Sequence, residues 1–155
     1  MHLMKLLIDE DVPVQLVEPL RHLLRGHTVD HVENLRWKGK KDRFLLPDAG
    51  SRGYDALLTN DSGQLDDPGE SAAIKKSGMH HIRYQQNTKL GIDGLALAMG
   101  SVIAGIRQVF ADLGTADGQR LVLIQGITPG KRHKTTNPAL DPPRYWPGRR
   151  GRRSQ

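Results

Sequence analysis

Apolar residues in this chain fall into short runs and longer periodic stretches that alternate along its length. Residues 3–8 read as a buried strand. Val12, Leu16, Val17, Leu20, Leu23 and Leu24 then recur at the spacing of one helix face, with Gly26 placed to end it. Asp11 stands where a helix cap is expected, Pro13 fits a first turn, and Pro19 predicts a bend. Residues 27–32 alternate as a second strand. After a basic loop at 35–41, Asp42 opens a second helix running towards Gly50 with Phe44, Leu45 and Leu46 as its apolar side, against which Pro47 counts. A third strand is predicted at 54–59, a short helix at 70–76 and a fourth strand at 79–84. The longest pattern joins Ile92, Leu95, Met99, Val102, Ile103, Ile106, Val109, Phe110 and Leu113 at helical spacing, and a fifth strand follows at 121–127.

Strands that alternate with helices imply βαβ units, a mostly parallel sheet and right-handed crossovers. The expected fold is therefore α/β with five strands in the order 2-1-3-4-5. That order makes the first and third strands neighbours at the topological switch point. From Lys131 onward periodicity ceases and Pro, Gly and Arg dominate, so residues 1–130 are expected to form the domain and 131–155 an irregular tail.

Charge sharpens this division. The formal net charge is +6, yet residues 131–155 hold eight Lys and Arg against Asp141, a net of +7, which leaves residues 1–130 near −1. The basicity belongs to the tail, which suits either contact with nucleic acid or a solubilising terminus. The absence of cysteine excludes disulfides and thiolate metal sites. No run is expected to span a membrane, the first residues lack a signal-peptide layout, and the expected location is the cytoplasm.

The chemistry lies at two strand ends. Leu6-Leu7-Ile8-Asp9-Glu10-Asp11 and Ala56-Leu57-Leu58-Thr59-Asn60-Asp61 are both apolar runs that finish in acids. A buried strand rarely delivers unpaired carboxylates. The predicted strand order brings Asp9 and Asp61 into one crevice, and clustered carboxylates suit a hard divalent cation such as Mg²⁺ or Mn²⁺. Asp9 and Asp61 are the expected central ligands, Asp42 the third and Glu10 a helper. Asp11 is expected to cap the following helix instead.

With these stretches in view, the chain resembles the PIN-like domains, relatives of the VapC-type toxin ribonucleases. The resemblance rests on residues 6–13, on Gly26-His27-Thr28-Val29, on Asp42, and on Leu58-Thr59-Asn60-Asp61, and it covers about residues 3–85. It implies a three-layer α/β/α sandwich and Mg²⁺- or Mn²⁺-dependent cleavage of RNA. A small antitoxin protein and a second copy of the chain are the implied partners. Asp9, Asp42 and Asp61 match the family's acids, and Thr59 its hydroxyl position. Members often continue with a second acid where this chain has Asp61-Ser62-Gly63-Gln64-Leu65. Asp66 or Asp67 is the available substitute.

Lys38, Lys40, Lys41 and Arg43 flank Asp42 and are candidates for phosphate contacts, with Trp37 available to stack on a base. His80 and His81 alternate across a strand and are expected to serve structure rather than one metal site. Two other readings stay open: a non-catalytic PIN-like module that binds RNA or protein, and a phosphoacceptor domain. Against the latter, no Lys follows the fifth strand.

Overall fold

The computed structural model describes residues 3–35, 42–60 and 63–148, without the side chains of 42–45. Its described elements are β1 (Lys5–Ile8), α1 (Val17–Leu23), β2 (Thr28–His31), α2 (Asp42–Ser51), β3 (Ala56–Thr59), α3 (Pro68–Ser77), β4 (His80–Tyr84), α4 (Ile92–Gly114), β5 (Leu121–Ile124) and β6 (His133–Thr136). The sheet order is β2-β1-β3-β4-β5-β6, with every pairing parallel except the last.

Strand alternation sorts the apolar residues into two cores. Leu6, Ile8, Ala56, Leu58, Ile82 and Tyr84 pack with buried residues of α1 and α4. Leu7, Leu57, Met79 and Leu121 pack with Leu46 and Ala49 of α2 and with Ala73 and Ile74 of α3. Because neighbours on a strand point to opposite faces, the sheet lies between the two cores, an arrangement compatible with a three-layer sandwich.

Among the described residues the sheet has six strands where five were expected. The sixth comes from the stretch that lacks periodicity: β6 is polar, HKTT, and pairs antiparallel with β5 through Leu121↔Thr136 to Ile124↔His133. An edge strand half in solvent needs no apolar alternation, so hydropathy does not reveal it. Further on, Trp146 is 5% exposed and joins the core over Leu121.

The start of α1 also differs. Residues 14–16 form a 3-10 turn with Pro13 at its cap, and α1 begins only at Val17. Pro19 consequently lies in the first turn of α1, where a missing N–H costs nothing, and the predicted bend has no cause. α2 keeps Pro47 in its interior, and the burial of Leu46 and Ala49 on either side of it outweighs that local penalty. By length and composition α4 could cross a membrane, contrary to the sequence expectation. In this fold it buries Val102, Ile106, Val109, Phe110 and Leu113 against the sheet, while Ile92 and Ile103 of the predicted apolar face stay exposed.

Two glycines of α4 make the packing testable. A Cβ at Gly94 would run into the carbonyl oxygen of Asn87, whereas one at Gly100 would meet nothing. Gly94→Ala is expected to lower unfolding free energy by about 1–3 kcal/mol through overpacking. Gly100→Ala is expected to raise it by roughly 0.5–1 kcal/mol through helix propensity. Urea unfolding of both variants decides this, and shifts of equal sign would contradict the packing.

Candidate functional site

The C-terminal edge of β1 and β3 is where parallel sheets of this order bind ligands. The ladder between them extends past the strands, because Asp9 N–H donates to Leu58 O at 2.9 Å, which sets Asp9 opposite Thr59. The Thr59 hydroxyl lies 3.0 Å from Asp9 Oδ2 and 3.2 and 3.3 Å from the two oxygens of Asp11. Asp9 Oδ1 also accepts from Glu10 N–H, and Asp11 Oδ1 from Asn60 N–H. Asp9 is 4% exposed and Thr59 fully buried, while Asp11 faces solvent.

Asp11 is the main correction to the sequence reading. Its carboxylate does not cap a helix; the 3-10 turn that follows starts from Pro13 with no side-chain cap. The chain turns sharply after Asp9, with Val12 N–H donating to Asp9 O, and this folds Asp11 back over the strand end. Strict alternation would have sent it to the face shared with Asp9 anyway, two residues on, had the helix not offered a competing role.

A hydroxyl carries one proton and can donate it to one carboxylate at a time. Two carboxylates gathered about one O–H therefore repel each other unless a proton or a cation lies between them. Both are hard oxygen donors, and one of them reaches solvent, so the pair fits Mg²⁺ or Mn²⁺. Among the described residues, no three His, Asp or Glu side chains come together at metal-binding spacing. Asp61 lies outside the described residues, as do Trp37, Lys38, Lys40 and Lys41. Asp42 and Arg43 open α2, but their side chains lie outside the description. Glu10 is exposed, and it is its backbone N–H that donates to Asp9. Asp67 is not a substitute acid, since its carboxylate caps α3 by accepting from Glu70 N–H at 2.8 Å.

Sequence reading missed Tyr84, at the end of β4. It is 1% exposed, among the described residues its hydroxyl has no hydrogen-bond partner, and burial together with the nearby Asp11 charge raises its pKa. An orphaned buried hydroxyl costs about 1–3 kcal/mol. Nearby, Asn60 Nδ2 donates to Gln86 Oε1 at 3.0 Å, tying the ends of β3 and β4 together.

Four of the described histidines serve structure. His31 Nδ1 accepts from Glu33 N–H, so Nε2 carries the proton and donates to Val12 O at 2.8 Å. His27 Nδ1 accepts from Met4 N–H, and its ring meets Phe110 edge-on. His80 Nδ1 accepts from Arg120 N–H. His81 is buried and donates from Nε2 to Gln64 Oε1 at 2.8 Å. A cavity of about 700 Å³ lies between α1 and α4 near Leu23, His27 and Phe110, but it is lined by no carboxylate, so the candidate chemistry is sought at the strand ends. Comparison with family models, with curated proteins and with solved structures returns no match.

Burial, reinforced by the Arg83 cation, pushes the His81 pKa down from 6.5 to about 3. Between those values the unfolded chain binds a proton that the folded chain refuses. The stability associated with neutral His81 is therefore complete above pH 6.5 and is lost as pH falls towards 3. The loss approaches about 1.4 kcal/mol per pH unit. In urea titrations the stability gap between wild type and His81→Gln should narrow steadily from pH 7 to pH 4. A gap that stays constant with pH would show that His81 is not held neutral.

Proposed function

We propose that this protein is a divalent-metal-dependent endoribonuclease of the PIN-like type, acting as the toxin of a toxin–antitoxin pair. The observation that carries the reading is the meeting of the Asp9 and Asp11 carboxylates at the Thr59 hydroxyl, at the switch point of a mostly parallel sheet. RNA as the substrate, and the antitoxin and second copy as partners, rest on the sequence resemblance.

In this reading Asp9 and Asp11 hold the cation, with Asp61 and Asp42 as the further acids that the resemblance supplies. A bound Mg²⁺ or Mn²⁺ contributes Lewis-acid neutralisation of the charge that builds on the phosphodiester oxygens. Thr59 and the Glu10 and Asn60 N–H groups fix the carboxylates so that little reorganisation accompanies reaction. Asp11, exposed where Asp9 is buried, is the carboxylate placed to accept the proton of an attacking water. The water oxygen bonds to phosphorus as its proton passes to Asp11, the bond to the ribose oxygen breaks, and the leaving oxygen takes up a proton from solvent.

A second reading, a non-catalytic PIN-like module, is favoured by the pairing of two rather than three such side chains among the described residues. Cleavage of labelled RNA in Mg²⁺ or Mn²⁺ separates the two. The enzyme reading predicts cleavage that chelation abolishes and that Asp9→Asn or Asp11→Asn reduces by roughly 100-fold or more. Equal cleavage by wild type and both variants would remove the site. Metal-dependent binding of RNA without cleavage would establish the module.

A further inference from the structure

The strand register aligns one row of residues across the sheet beyond the carboxylates. Asp9 sits opposite Thr59, Thr59 pairs with Arg83, Arg83 with Leu123, and Leu123 with Lys134. In-register neighbours share a face, here the face of Leu57 and His81, toward α2 and α3. At the usual strand spacing, the Arg83 backbone lies about 5 Å from that of Thr59, and Lys134 two strands further, about 10 Å. Arg83, Lys134, Thr136, Leu65 and Asp141 line a groove of about 220 Å³.

Arg83 is half-buried, and among the described residues no hydrogen bond or ion pair engages it. Lys134 is exposed on β6 and is likewise unengaged. Asp141 shares the groove, yet no ion pair joins it to either cation. Holding a guanidinium away from bulk water without a partner is unfavourable, and its planar fork suits phosphate oxygens. The groove carries two cations against one acid and adjoins the carboxylate site along a single register line.

The geometry points to a phosphate-binding track in which Arg83 and Lys134 hold successive phosphodiesters of a single-stranded nucleic acid that crosses β4, β5 and β6 on its way to Asp9 and Asp11. Arg83 binds the phosphate beside the reacting one, and Lys134 one further along. The half-exposed Leu123 lies between them as apolar floor. The identity of the strand as RNA rests on the nuclease reading; the anion track stands on the register and the groove. It also gives the late strand β6 a part in binding.

The test is fluorescence-anisotropy binding of a short labelled oligouridylate in EDTA, so that neither metal nor cleavage enters the readout. Arg83→Gln is expected to weaken binding roughly tenfold at low salt and to flatten the dependence of log K on log salt by about 0.7. Lys134→Gln should flatten the slope similarly. Arg83→Lys, which keeps the charge, should restore most of the affinity, and Arg107→Gln, on α4 across the sheet, should change nothing. Asp9→Asn should bind at least as tightly as wild type, which separates failure of the track from failure of the catalytic reading. Wild type that does not bind, or Arg83→Gln and Lys134→Gln that behave like Arg107→Gln, would overturn the proposal. Lys134 is exposed, so its variant keeps the test decisive if Arg83→Gln unfolds. Inorganic phosphate that displaces the oligomer at equal concentration would replace a strand track with a simple anion site and overturn it too.

Discussion

Two carboxylates share one buried hydroxyl at the end of β1, and that crowding is the constraint on which the functional account depends. It arises from parallel pairing. β1 lies between β2 and β3, so its C-terminal end emerges in the middle of the sheet rather than at an edge. The Asp9 N–H still belongs to the ladder, which carries its carboxylate inward to 4% exposure. The turn that follows returns Asp11 to the same point. A fold stabilised by burying Leu6, Leu7 and Ile8 thereby concentrates negative charge, and a cation or a proton relieves it.

How much of this could be read beforehand varies with the kind of signal. The strands and the long helix follow from apolar periodicity, which is the same quantity that drives their burial. Asp9 follows too, because it ends an apolar run at the switch point that the strand order predicts, whereas Thr59 was singled out only by the resemblance. Asp11 was hidden by an equally good local explanation, that of a helix cap. The chain resolves the competition by delaying its helix to Val17 and starting with a 3-10 turn from Pro13. β6 was hidden for a different reason: a polar edge strand has no hydropathy pattern, and its pairing with β5 is non-local. Arg83 and Tyr84 looked like ordinary strand residues. What distinguishes them is the absence of hydrogen-bond and ion-pair partners among the described residues, which a sequence cannot display.

The sheet also divides labour between its faces. On the α1 and α4 side, Tyr84 ends β4 with a buried hydroxyl that has no partner among the described residues and feels the Asp11 charge. On the α2 and α3 side, Thr59, Arg83 and Lys134 follow one register line away from Asp9. The neutral His81–Gln64 pair lies beneath that line, and the Arg83 charge helps to keep the imidazole unprotonated. The Asp9 carboxylate and the Arg83 cation are thus held two strand spacings apart, about 10 Å, near enough for one phosphate-bearing chain to meet both.

The most direct test of the central claim is a Mn²⁺ titration followed in amide NMR spectra, since paramagnetic broadening reports which residues surround the ion. The account predicts that substoichiometric Mn²⁺ broadens the amides of Asp9, Glu10, Asp11, Thr59 and Asn60 first, and that Asp9→Asn abolishes this. Broadening centred elsewhere, or unchanged in Asp9→Asn, would contradict it.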